Sequence, residues 1–261
     1  MNFIDVNGVR LHYRFDGAEE LPVVVLSNSL GTDITMWDPQ IEELTKYFRV
    51  LRYDTRGHGV SDVPAGPYSI DQLGQDVVGL LDSLEIERAH FAGVSMGGMT
   101  GMWLGLNAPE RLGKLALCNT AAFIGPREIW DTRINAVQNG GMEPIAEGVT
   151  ARWFTESYVQ QGTEEVEQVR KVFIETSAAG YAAACAAVRD MDERDTVKNI
   201  TVPTLVISSK DDLATPPRDG QYLTDQIEGA RYVELEGSHL SNIESAKEFT
   251  KALVDFLRGI A

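Results

Sequence analysis

"HFAGVSMGGMTGMWLGL", His90 to Leu106, passes from a short, largely apolar run into a glycine-rich helical pattern, with a serine at the junction. Ala89–Val94 has the character of a buried strand, and Met96–Asn107 continues as a helix. Gly93-Val94-Ser95-Met96-Gly97 therefore occupies a strand-to-helix turn. A serine at that position projects its hydroxyl above the sheet edge, and the flanking glycines remove side chains that would collide as the turn tightens. The helix opening at Met96 aims free N–H groups and its dipole at developing negative charge. No lysine follows the glycines, so a phosphate-binding loop does not fit.

Outward from this turn, strand and helix patterns alternate. Phe3–Val6 and Val9–Phe15 read as a hairpin about Asn7-Gly8, a favoured two-residue turn. Further strands are expected near Val23–Ser27, Phe48–Tyr53, Leu115–Cys118, Thr204–Ser208 and Tyr232–Leu235. Helices are expected over Pro39–Lys46, Ser69–Leu84, Arg218–Gln226 and Ser241–Leu257. The alternation predicts an α/β fold: a mostly parallel, eight-stranded sheet with helices on both faces and the opening hairpin at an antiparallel edge. Residues 124–195 break the pattern, with helical periodicity and no convincing strand; "SAAGYAAACAAVRDM" and "EEVEQVRKVFIET" are the clearest helices. This stretch is expected to form a helical cap inserted in a core made of residues 1–123 and 196–261.

A serine hydroxyl is a weak nucleophile and needs an adjacent base, itself held by an acid. Of the four histidines, His12 alternates within the hairpin, His90 opens the Ser95 strand, and His58 lies in a tight glycine loop, all positions that suit structural roles. His239, in "ELEGSHLSNIES", follows the last strand and so lies at the same sheet edge as Ser95. "TLVISSKDDLATPP" places two carboxylates, Asp211 and Asp212, at the end of another strand, where ligands and catalysis gather in open parallel sheets. Serine, aspartate and histidine then occur in the chain order of one hydrolase architecture.

Composition narrows the partners. The net charge is −16, from 39 acidic and 23 basic residues, which argues against nucleic acid and anionic membrane surfaces. An anionic substrate would gain no long-range attraction and would need a local cation. There is no basic, apolar leader at the start and no run approaching the ~20 apolar residues of a membrane span. The two cysteines, Cys118 and Cys185, sit in apolar contexts away from any CxxC pattern, as expected of buried thiols in a reducing cytoplasm.

At these motifs the chain resembles the alpha/beta-hydrolase superfamily over essentially its whole length. "YDTRGHGVSD" is similar to the family's D-x-R-G-x-G-x-S loop, "GVSMGG" to its nucleophile elbow, and "DDLATPP" to its acid loop. The family's proline four positions after the acid corresponds to Pro216, which selects Asp212 over Asp211; the customary glycine three positions before the acid is Ser209 here. Where the family usually has His-Gly, this chain has Asn28-Ser29. The resemblance implies an oxyanion hole formed by the backbone N–H groups of Leu30 and Met96, and no metal or organic cofactor.

"NSLGTDITMWD" and "GMEPIAEGVTARWFT" resemble the 3-oxoadipate enol-lactone hydrolase branch. That implies a small anionic lactone as substrate, opened by Ser95 with His239 as base and Asp212 as its support, in the breakdown of aromatic compounds. A general carboxylesterase, a carbon–carbon bond hydrolase and a cofactor-free perhydrolase use the same triad and stay open, as does a non-catalytic receptor that binds a small molecule under the cap. A dehalogenase would need aspartate where this chain has Ser95. Of the cap arginines, Arg127, Arg133, Arg152, Arg170, Arg189 and Arg194, Arg133 is the expected carboxylate ligand, because it follows Trp130 at i,i+3 near the first core-to-cap crossing. Trp153 is expected either to wall the pocket or to pack cap against core.

Overall fold

A computed structural model describes residues 1–260; Ala261, the last residue of the expected core segment, lies outside the described residues. The strands are β1 (Asn2–Val6), β2 (Val9–Asp16), β3 (Val23–Ser27), β4 (Arg49–Tyr53), β5 (Ala89–Val94), β6 (Leu112–Cys118), β7 (Thr204–Ser209) and β8 (Arg231–Leu235). They form one sheet in the order β1-β2-β4-β3-β5-β6-β7-β8. Pairing is antiparallel for β1 with β2 and for β2 with β4, and parallel elsewhere. The register brings Ser27 opposite Gly93, Val94 opposite Cys118, and Ser209 opposite Leu235, so several strands end level at one edge.

The core helices are α1 (Asp38–Leu44), α2 (Ile70–Ser83) and α3 (Met96–Asn107). Between β6 and β7 come α4 (Arg127–Gly140), α5 (Glu143–Thr150), α6 (Glu156–Val159), α7 (Glu164–Glu175) and α8 (Ala178–Asp190). The chain then returns through α9 (Pro217–Gln226), α10 (Ser241–Glu244) and α11 (Ala246–Arg258). Central strands β3, β5, β6 and β7 are buried along almost their whole length, as expected of strands covered on both faces. The α2 helix starts in a capping box, with Ser69 and Gln72 each satisfying the other's backbone N–H. Among the described residues no helix is long and apolar enough to cross a membrane.

The expected final helix is broken at Ser245. Local periodicity could not show this, because the break serves contacts across the chain. Ser245 Oγ donates to the Glu236 carbonyl at 2.7 Å, while the Glu244 carboxylate accepts the N–H groups of Ser238 (3.0 Å) and Thr155 (3.1 Å). Glu244 thus ties the His239 loop to the segment between α5 and α6. The α8 helix packs along α4 and is buried from Gly180 to Val188, consistent with its small, alanine-rich surface. Its Ala183 carbonyl accepts the Tyr68 N–H at 3.0 Å, which fastens it to the core.

His90 has an indirect effect on stability. Its ring meets Phe48 edge-on, with centroids 5.7 Å apart, and its buried Nδ1 has no partner among the described residues. Burial, reinforced by Lys114 and Arg88, pulls its pKa from 6.5 down to about 4. At His90 the folded chain therefore binds fewer protons than the unfolded chain between those values, so this group's contribution to stability falls as pH drops from 6.5 toward 4. Urea unfolding should show this loss in the parent and a shallower loss in His90→Phe. Identical acid slopes in the two proteins would place the effect on other groups.

Candidate active site

Ser95 caps the start of α3 with φ +57° and ψ −116°, a conformation that costs a non-glycine residue about 1–3 kcal/mol. The surrounding structure holds it there. Its N–H donates to the Cys118 carbonyl at 2.9 Å, and its own carbonyl accepts from Thr120 Oγ1 at 2.7 Å and from the Met99 N–H at 3.0 Å. The glycines on either side are sterically required. A Cβ on Gly93 would lie 2.1 Å from the Gly97 carbonyl oxygen, and one on Gly97 would lie 2.2 Å from that of Ser27.

Asp212 leaves the end of β7 and is buried, whereas neighbouring Asp211 is exposed. The Asp212 Oδ1 accepts the N–H groups of Ala214 at 2.8 Å and Thr215 at 2.9 Å. Its Oδ2 accepts from Asn119 Nδ2 at 3.0 Å and Thr215 Oγ1 at 2.8 Å, and lies 2.8 Å from His239 Nδ1. Burial alone would push this carboxyl up; the attraction to His239 and the converging hydrogen bonds outweigh it and hold the group below the usual carboxylate range. The acid is therefore charged at neutral pH and orients the imidazole through Nδ1. None of the His239 hydrogen bonds among the described residues is to Ser95 Oγ, and such contacts commonly tighten only when substrate binds.

The loop after β3 carries the second expected donor. Among the described residues, the Leu30 N–H makes no hydrogen bond, nor does that of Met96, which is too early in its helix to have an internal partner. Asn28, where the superfamily resemblance implies histidine, is a fully buried brace: its Nδ2 donates to the Tyr53 carbonyl at 2.9 Å and its Oδ1 accepts from Trp37 Nε1 at 3.0 Å. The departure in sequence thus supplies the loop's anchorage while leaving backbone donors available.

One cavity of about 170 Å³ collects these groups. Ser95, Leu30 and His239 line it from the loops at the sheet edge, and Trp130 and Arg133 of α4 and Trp153 of the turn after α5 line it from the segment between β6 and β7. Trp153 has both expected characters: it walls the cavity and meets Phe173 edge-on, with centroids 5.3 Å apart. Among the six arginines considered, Arg127 pairs with Asp190 at 2.5 Å, Arg189 with Asp131 at 2.7 Å and Arg194 with Asp192 at 2.5 Å. Arg170 is exposed on another surface. Arg133 and Arg152 line the Ser95 cavity with no carboxylate partner among the described residues, and Arg133 also stacks over Trp130 at 4.8 Å.

Asn119, Thr215, Trp130 and Tyr181 belong to this arrangement without having been singled out as site residues from the sequence. Asn119 had a readable signal, a polar residue just past the end of a central strand. Tyr181 had none, since it lies in an alanine-rich helix whose orientation depends on α4. The assembled groups can support acyl transfer: a strained hydroxyl, a carboxylate-oriented imidazole, and two backbone donors for an oxyanion.

The chain is 42% identical over 245 residues to 3-oxoadipate enol-lactonase 2 of Acinetobacter baylyi, a match covering 94% of this chain and 92% of the relative. The crystal structure of the enol-lactonase from Burkholderia xenovorans LB400 is similar at a TM-score of 0.97 and 50% identity, covering 98% of this chain and all of that one (100%). A thermophilic esterase from Thermogutta terrifontis, with malate bound, has a TM-score of 0.93 at 28% identity, covering 100% of this chain and 99% of its own. The alpha/beta hydrolase fold family matches residues 22–246, and the chain belongs to that family.

Proposed function

We propose that this protein hydrolyses 3-oxoadipate enol-lactone to 3-oxoadipate through a serine acyl-enzyme. The carrying observation is that Ser95, His239, Leu30 and two arginines with no acid partner among the described residues line one small cavity. Its volume of about 170 Å³ is below the ~300 Å³ at which pockets for drug-sized ligands begin, which suits a compact lactone. The relatives named enol-lactonases support the same substrate.

Ser95 Oγ attacks the lactone carbonyl while His239 Nε2 takes its proton, and Asp212 holds the imidazole in the tautomer that leaves Nε2 free to accept. The carbonyl oxygen becomes an anion between the N–H groups of Leu30 and Met96. Collapse of the intermediate breaks the ring C–O bond and releases an enolate, a better leaving group than a simple alkoxide. The His239 imidazolium returns its proton to the enolate oxygen, which restores the neutral base, and the resulting enol becomes the ketone. Water, deprotonated by His239, then attacks the acyl-enzyme and frees Ser95. Arg133 binds the carboxylate arm, Trp153 walls the ring, and residues 124–195 act as the cap over a core of 1–123 and 196–261. Two free, buried cysteines, Cys118 and Cys185, suit work in the cytoplasm.

The test compares two substrates. Arg133→Ala should lower kcat/KM for the enol-lactone by about 10- to 100-fold, the scale of one lost charge-assisted contact, and spare a neutral p-nitrophenyl ester. Equal losses on both would reject a carboxylate-binding role. Ser95→Ala and His239→Ala should each remove most of kcat, with the double variant scarcely worse than either single one. Multiplicative losses would argue against a shared proton-transfer unit.

The neighbouring acids give a sharper contrast. Asp212→Asn should cost kcat about 10⁴-fold by leaving the imidazole in the wrong tautomer, whereas Asp211→Asn should cost little. Steady-state turnover of both variants decides between them, and the opposite ranking would move the acid to Asp211.

A further inference from the structure

The Leu30 N–H can act as an oxyanion donor only if an irregular loop holds its direction. Two peptide planes meet at Leu30, and each is anchored differently. The first is held through its carbonyl: Ser29 O accepts the Thr32 N–H at 3.2 Å and Thr32 Oγ1 at 2.8 Å. Because a trans peptide is planar, its carbonyl and N–H point in opposite directions, so this anchorage aims the Leu30 N–H away from Thr32. The second plane, Leu30–Gly31, is held through the Gly31 N–H, which donates to His58 Nε2 at 2.9 Å.

The other His58 nitrogen fixes which form of the ring makes that contact. Nδ1 lies 3.2 Å from the Arg56 carbonyl, which can only accept, so Nδ1 carries the proton and Nε2 presents a lone pair. His58 is 2% exposed, and burial lowers its pKa, which keeps the ring neutral. The loop has no aqueous substitute for this acceptor. Gly31, at φ +81°, lies beneath the rings of Phe173 and Tyr181; a Cβ there would stand 2.7 Å and 3.0 Å from them. Without His58 the Gly31 N–H would be buried and unpaired, at a cost of about 1–3 kcal/mol, and the loop would relax by rotating the peptide next to Leu30.

We propose that His58 is a positioning residue for this reaction: by accepting the Gly31 N–H it holds the Leu30 N–H on the carbonyl oxygen as that oxygen becomes an anion. This rests on the acyl-transfer reading above. It assigns His58 a role in the chemical step rather than in substrate binding, because the contact gains strength only as the anion forms. It also connects the D-T-R-G-H-G loop, Asp54–Gly59, to catalysis, although His58 does not line the Ser95 cavity.

His58→Phe keeps a buried ring and removes the acceptor; His58→Gln restores an acceptor oxygen. Turnover is measured for both variants on the enol-lactone and on p-nitrophenyl acetate, with thermal unfolding as the control for folding. His58→Phe should lose about 10- to 100-fold in kcat on both substrates with KM within about twofold, short of the 10²–10³ for outright removal of an oxyanion donor, and His58→Gln should recover most of the loss. An unchanged kcat in folded His58→Phe, a loss confined to KM, or no recovery in His58→Gln overturns the proposal. Should the variants not fold, ¹⁵N NMR of the parent imidazoles decides. A neutral His58 protonated at Nδ1 supports the role, and one protonated at Nε2 overturns it, since two N–H groups would then face each other. Failure of the underlying reading looks different: Ser95→Ala would retain turnover, whatever His58 does.

Discussion

The turn at Ser95 is the constraint on which the rest of the site depends. A hydroxyl can stand clear of the sheet edge only if the chain reverses direction within a few residues, and Ser95 accepts a positive φ to do so. That strain persists because β5 is paired on both sides, α3 is buried against the sheet, and Gly93 and Gly97 admit backbone contacts that no side chain would allow. The same close approach sets Met96 at the helix start, facing the loop after β3. One backbone geometry therefore sets both the hydroxyl proposed as nucleophile and one of the two N–H groups proposed as oxyanion donors.

Charge is distributed in the opposite sense from the protein as a whole. The chain carries −16, and three of the six arginines considered, Arg127, Arg189 and Arg194, are neutralised by nearby aspartates. Inside the cavity the balance reverses: Arg133 and Arg152 face it with no acid partner among the described residues, and Asp212, the carboxylate beside His239, is enclosed by donors on both oxygens. A small anion thus meets repulsion at long range and attraction only within the pocket, where low dielectric strengthens a direct contact.

The helices between β6 and β7 meet the rest of the fold on the loops around the Ser95 cavity. Trp153 offers its ring to the cavity and its carbonyl to the Leu240 N–H at 2.9 Å, beside His239. Phe173 and Tyr181 cover Gly31, while Gly180 lies against Gly57; a Cβ added to Gly180 would sit 2.2 Å from the Gly57 carbonyl oxygen. The helices between β6 and β7 therefore restrain the loops that carry His239, Leu30 and His58, and line the cavity as well.

The sequence by itself determined the alternation of strands and helices, the strand-to-helix serine, the chain order of serine, aspartate and histidine at strand ends, and the helical character of residues 124–195. Each of these is written in local chemistry: periodicity, glycine spacing, and polar residues where apolar strands end. Between Asp211 and Asp212 the residues alone left a choice, and the three-dimensional network around Asp212 now carries the distinction physically. Only the tertiary structure decided the break at Ser245, the bracing role of Asn28, the contributions of Asn119 and Thr215, and which arginines face the cavity. These depend on partners from distant parts of the chain, such as Glu236 for Ser245 and Tyr53 for Asn28. A side chain's local pattern specifies the face it occupies, but whether it ends in solvent, an ion pair or a cavity depends on what the fold packs against that face.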